Sequence, residues 1–229
     1  MDKKLRAWSF SRFSDYRRCP AAYDYKVNRR LPEPPNAAMR RGLEAHAALE
    51  GFVKGELKRL PAQFQRHEPL LKRWRRADAE AELQWGFTKD WAPTGWFADD
   101  TWLRVKLDVL VPSAKPGVLD VIDYKTGGVR PEQHGEGLEL YALAVMLARP
   151  DAARTVRTFA FYVDHDSEPR QLAEYDRPAR DARELKAQWR RKVTPMMRDV
   201  KFKPKPSQDA CRWCAFSKFR GGPCAVAAA

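Results

Sequence analysis

Apolar and polar residues alternate most regularly in the middle of the chain. Over 102–111, Val105, Leu107, Val109 and Val111 fall on one face of an extended strand, and Lys106, Asp108 and Leu110 on the other. A turn-forming segment at 112–117, with proline and glycine at its ends, leads into an apolar run over 118–124. That run carries Asp123, is followed by Lys125, and closes at Thr126, Gly127 and Gly128. Together the two stretches predict a hairpin. Further strands are predicted near 83–90, 155–163 and 170–175. Helical spacing predicts a first helix capped by Ser9 or Ser11 and running towards Cys19, with Phe10, Phe13 and Tyr16 on its apolar side and Pro20 ending or kinking it. It also predicts a helix over 37–58 with Leu43, Ala47 and Leu49 facing inward, and helices over 61–82, 132–148 and 178–198. This order of elements predicts an α/β fold, a mixed sheet flanked by helices.

The hairpin concentrates chemistry. Asp123 and Lys125 lie two positions apart, so on a strand they point the same way, and the turn brings Asp108 alongside them. A carboxylate and an ammonium on an otherwise apolar strand are expensive to bury unless the site uses both. Metal-dependent phosphodiester hydrolysis does. The carboxylates suit a hard divalent cation, and the lysine offsets developing negative charge or orients the attacking water. The bland alternative is a surface hairpin with scattered charges.

Composition narrows the setting. The 229 residues are 44% hydrophobic and 32% charged, enough for one domain with a real core. A formal charge of +13 points to a polyanionic partner, nucleic acid or an anionic membrane surface. No apolar stretch approaches membrane-spanning length. The start, Met1 to Lys4, is charged and leads into no apolar segment, so no secretory signal is expected and a reducing cytoplasmic location follows. In such a compartment the four cysteines are expected to ligate metal rather than form disulfides. Cys211 and Cys214 have metal-ligand spacing, Cys224 follows a turn at Gly221-Gly222-Pro223, and Cys19 lies near the other end of the chain. Thiolates alone suit Zn²⁺ or an iron–sulfur cluster. No Gly-Lys pair occurs, which excludes a Walker loop and a built-in ATP motor. The basic runs at 72–76 and 183–192 together suggest a DNA-backbone track. Trp74, Trp189 and Trp213 near them could stack bases, but core packing is the expected role.

Taken in order, several stretches resemble one family. They are 9–13 and 16–23 with Cys19; 42–50 with His46; Lys106-Leu107-Asp108; Asp123-Tyr124-Lys125-Thr126-Gly127; 138–144 with Tyr141; and the triplet Cys211, Cys214, Cys224. Together they resemble the RecB-type branch of the PD-(D/E)xK nucleases, in particular the iron–sulfur exonucleases of the AddB and CRISPR-associated type. The resemblance implies a restriction-endonuclease-like mixed sheet, with the N-terminal helix and C-terminal tail joined by a cysteine-ligated cluster. It implies one nuclease domain over 1–229, its core at about 37–198 and its cluster-binding elements at 9–27 and 203–226. Asp108, Asp123, Lys125 and Tyr141 are the implied catalytic residues. His46, Asp108, Asp123 and the backbone carbonyl of Tyr124 are the implied ligands of Mg²⁺ or Mn²⁺. Cys19, Cys211, Cys214 and Cys224 are the implied ligands of a 4Fe–4S cluster. The implied activity is DNA exonuclease, on DNA ends or single strands. The implied context is repair, recombination or CRISPR-like processing in a bacterial or phage-infected cell, beside recombination or repair proteins. The rival expectation is a catalytically weak DNA- or partner-binding module holding a structural zinc. One position departs from the pattern: Gly137 stands where the family's helix carries a glutamine four residues before the tyrosine. Glu50 is expected to be a helix-face partner, and His67, His134 and His165 have no motif around them.

Overall fold

The structure is a computed structural model that describes residues 7–226; the charged start at Met1 to Lys4 lies outside the described residues. In chain order the helices are α1 (Phe10–Arg18), α2 (Pro20–Tyr23), α3 (Ala37–Lys54), α4 (Glu68–Arg76), α5 (Pro131–Ala148), α6 (Pro178–Arg198) and α7 (Gln208–Arg212). The strands are β1 (Glu80–Phe87), β2 (Pro93–Thr94), β3 (Leu103–Pro112), β4 (Val118–Lys125), β5 (Thr155–Tyr162) and β6 (Arg170–Tyr175). Among the described residues two compact units form: 36–188, and 7–35 together with 189–226.

The larger unit is a six-stranded mixed sheet in the order β2-β1-β3-β4-β5-β6. Only β4 and β5 run parallel; the other neighbours are antiparallel. The helix α5 makes the crossover that a parallel pair requires. The predicted hairpin forms between β3 and β4, with Val109 opposite Ile122 and Leu110 opposite Val121. Val105, Leu107, Val109 and Val111 are all buried. One sheet face, with Val109, Val111, Ile122, Tyr124 and Phe161, packs against Ala45, Ala48, Leu49 and Phe52 of α3 and Leu70, Leu71 and Trp74 of α4. The helix α5 packs on β3 to β6 and buries Leu138, Leu140, Leu143 and Val145. Each fully buried large aliphatic or aromatic side chain contributes about 1.5–3 kcal/mol of transfer free energy, and this two-sided burial sets the position of the central strands.

Three helix expectations need correction. The helix expected over 61–82 is a 3₁₀ turn (Ala62–His67) and then α4, which stops at Arg76. Asp78 has φ 56°, and from Glu80 the chain is a strand paired with β3 along its length. Sheet pairing overrides the helix-favouring residues at 79–82. The helix expected over 37–58 ends at Lys54, because Gly55 adopts the left-handed conformation with φ 81° that stops a helix. Its inward stripe is Ala45, Ala48, Leu49 and Phe52, spaced three and four apart, while Leu43 is 66% exposed and Ala47 is also exposed.

In the smaller unit, Ser9 caps α1 by accepting from the Arg12 N–H. Trp8 stacks on Trp189 at 5.8 Å, and Phe10 and Phe13 meet the same indole edge-on. The Tyr16 hydroxyl donates to Asp199 (2.8 Å), and Tyr23 stacks on Phe202. Cys19 is extended between α1 and α2, so Pro20 opens a new helical turn at the N1 position that proline tolerates. Among the described residues, no helix is long and apolar enough to cross a membrane.

Candidate active site

The site is built where the sheet ladder opens. The pairs between β1 and β3 run from Ala81 with Val109 to Leu83 with Leu107, passing over Glu82 and Asp108. Glu82 sits there at φ 59°, a strained conformation for a residue with a side chain. On the other side of β3 the paired register with β4 begins only at Val109 and Ile122. The Tyr124 N–H, one of the groups released there, donates to Asp108 Oδ2 (2.7 Å). That bond fixes the carboxylate and satisfies a buried donor at once.

Around this point the expected residues converge. His46, from α3, has Nδ1 3.1 Å from Asp108 Oδ1 and Nε2 3.1 Å from the Tyr124 carbonyl oxygen. Lys125 forms an ion pair with Asp123, which is 6% exposed. Burial and the neighbouring Asp108 raise the Asp123 carboxyl, with Lys125 and His46 opposing them. Burial would lower the Lys125 ammonium, but Asp123 and Asp108 outweigh it and hold it above its ordinary value. His46 behaves alike: burial pulls it down, and Asp108 and Asp123 raise it further. Tyr141, on α5, is half-buried. Burial of its hydroxyl, then the charges of Asp123 and Asp108, push it well above 10, so it is a neutral donor at ordinary pH.

Glu50 pairs with Lys54 one turn on, as a helix-face partner would. Gly137 is buried in α5. His67 is buried with Nε2 2.8 Å from the Val163 carbonyl oxygen, a core role. Trp74 and Trp189 are buried, in line with core packing, but Trp213 is 65% exposed, against it.

Two groups near the site carry no motif that would have marked them. Asp164, just beyond β5, accepts from the Gly127 N–H (2.8 Å) and pairs with Arg41, tying down the loop after Lys125. His134, on α5, has Nδ1 2.9 Å from the Tyr162 hydroxyl, and Tyr162 lies opposite Lys125 in the β4–β5 register. Burial, then the Lys125 charge, push the His134 imidazole down to about 4. The only sequence signal for His134 is its place two turns before Tyr141 on one helix face.

The four cysteines, all in the smaller unit, line one small cavity with Ala22, Tyr25 and Phe216. None is in a disulfide. Burial pushes the Cys214 thiol up, and Cys19 and Cys224 push it the same way. The Lys205 N–H approaches Cys19 Sγ at 3.5 Å. Among the described residues, no group of three or more His, Cys, Asp or Glu side chains is arranged to hold a metal ion as it stands.

A family model described as the PD-(D/E)XK nuclease superfamily matches residues 7–101 and 88–219. Among solved structures, the chain is similar to a "Putative exonuclease" from Eubacterium rectale. Identity is 14% and TM-score 0.51, over 98% of this chain and 90% of that one, a likeness of fold. It is also similar to SSO0001, at 16% identity and TM-score 0.48, over 100% of this chain and 91% of that one. No curated protein matches.

Proposed function

The chain belongs to the PD-(D/E)XK nuclease superfamily, and from that premise we propose that it is a divalent-metal-dependent DNA exonuclease acting on DNA ends or single strands. The observation that carries this reading is the meeting of Asp108, Asp123 and Lys125 on two central strands, with His46 bridging Asp108 and the Tyr124 carbonyl. Two carboxylates, one imidazole and one carbonyl form a donor set suited to Mg²⁺ or Mn²⁺. Burial, and after it the neighbouring Asp108, raise the Asp123 carboxyl, and a cation held there would favour its ionised form. His46, Asp108, Asp123 and the Tyr124 carbonyl are therefore assigned as ligands. A cation held there would supply Lewis acidity and an activated water.

The chain's own residues do the rest. Lys125 stays protonated because Asp123 and Asp108 hold it so, and it faces the charge that develops on the scissile phosphate. Asp108 is fixed by the Tyr124 N–H and cannot swing away. The neutral Tyr141 hydroxyl donates to the substrate. The test is degradation of end-labelled single-stranded DNA with Mn²⁺ and with chelator. Shortening from the ends with Mn²⁺ and none with chelator is expected; equal activity in both would reject the metal assignment.

The cysteine cavity supports a second part of the proposal, a structural 4Fe–4S cluster on Cys19, Cys211, Cys214 and Cys224, as in AddB-type exonucleases. Four free thiols lining one cavity fit a soft-metal group. Anaerobically purified protein should be brown with about four irons per chain. Colourless protein with one zinc per chain would reject the cluster and leave the nuclease reading intact.

A further inference from the structure

The C-terminal tail carries aromatic rings where a core would not put them. Trp213 is 65% exposed and Phe219 63% exposed. Each is paired with cations: the Arg212 and Arg220 guanidinium carbons lie 5.1 and 5.7 Å from the Trp213 ring centroid, and Lys218 Nζ lies 5.5 Å from that of Phe219. No acidic residue occurs from 210 to the end of the chain. Among the described residues, no carboxylate pairs with Arg212, Lys218 or Arg220.

Phe219 rides on a built turn. Ser217 caps the 3₁₀ turn Lys218–Arg220 through the Phe219 N–H (3.3 Å). Cys224 pairs back beside Ser217, and its N–H donates to the Phe216 carbonyl (2.9 Å). Phe216 is buried as the anchor and meets Tyr25 at 5.6 Å. Gly222 passes so close to the Phe216 backbone that a Cβ there would collide with it. The turn is thus preformed with Phe219 exposed on it, and Trp213 is exposed just before it, at the C-cap of α7.

We propose that this surface is a binding site for single-stranded nucleic acid, in which Trp213 and Phe219 stack on unpaired bases while Arg212, Lys218 and Arg220 take the phosphates. The ligand chemistry follows from the side chains. Single strands offer free base faces and regularly spaced negative charge together, and base–aromatic stacking with cations alongside is how sequence-tolerant sites hold them. A duplex keeps its bases stacked on one another and offers the rings nothing. An acidic peptide or anionic membrane would engage the cations without a flat partner for the indole. The site shares no residue with the proposed catalytic set, and binding there does not depend on cleavage.

The test is an anisotropy titration of the full chain in chelator with a labelled oligothymidylate, the matching duplex and anionic phosphatidylserine vesicles. Trp213→Ala and Phe219→Ala should each weaken oligothymidylate binding about 10-fold, and Trp213→Phe should restore most of it. Duplex binding should change little. Arg220→Gln should flatten the salt dependence. Both rings are exposed, so thermal unfolding should match the parent protein. Unchanged oligothymidylate affinity in both alanine variants, or an equal loss for duplex or vesicles, would overturn the proposal.

Discussion

Asp123 and Lys125 form a pair in which each makes the other tolerable. Buried charge is destabilising alone, and removing one partner of such a pair costs more than the pair gives. Lys125→Met should therefore destabilise the protein by about 3 kcal/mol at neutral pH. The sign with pH follows from the raised Asp123 carboxyl, raised further without its partner. A raised acid is harmless below its unfolded value and costs stability as pH rises through its folded value. The destabilisation by Lys125→Met should thus shrink in acid, measured by chemical denaturation at several pH values. His134 gives the opposite slope. Its imidazole falls from 6.5 to about 4. Above 6.5 both folded and unfolded forms are neutral. Between 6.5 and 4 the unfolded chain takes up the proton first, so stability is lost as pH falls through that window. His134→Gln should flatten the loss, read from unfolding midpoints across the range.

The central hairpin is legible as an element because residues 102–111 alternate, 118–124 are an apolar run, and the turn between them is marked by proline and glycine. That alternation was enough to set Asp108 near Asp123 and Lys125. It could not show that the ladder opens at Asp108, because the break depends on Glu82 of a third strand adopting φ 59°. The helices are legible where caps are local, as at Ser9, and not where pairing partners decide, as at 79–82. Asp164 and His134 escaped because their roles come from tertiary contacts, to Gly127 and Tyr162, that no spacing encodes. The sheet packing also predicts where the larger unit is vulnerable. Phe161 is fully buried among Trp74, Tyr124 and His67. Phe161→Ala should cost about 3–5 kcal/mol, against little for Leu43→Ala on the exposed side of α3. Equal losses at the two positions by denaturant titration would contradict the packing described.

For the molecule as a whole, a charge of +13 is far larger than the site alone needs. It predicts DNA binding that falls steeply with salt and depends little on base sequence, because phosphate contacts dominate; a titration that stays flat from low to moderate salt would assign the charge elsewhere. Binding of this kind concentrates substrate but does not cleave it. On the proposed function, cleavage falls to the carboxylates and the lysine at the opened ladder, and Asp123 is the member both buried and in contact with Lys125. The most direct measurement is the single-turnover rate of Asp123→Ala on end-labelled single-stranded DNA with Mn²⁺, beside the parent protein at matched occupancy. The rate should fall by about 10²-fold or more, the scale on which lost transition-state stabilisation is felt, with DNA affinity largely kept. A variant that cleaves at the parent rate would contradict the account.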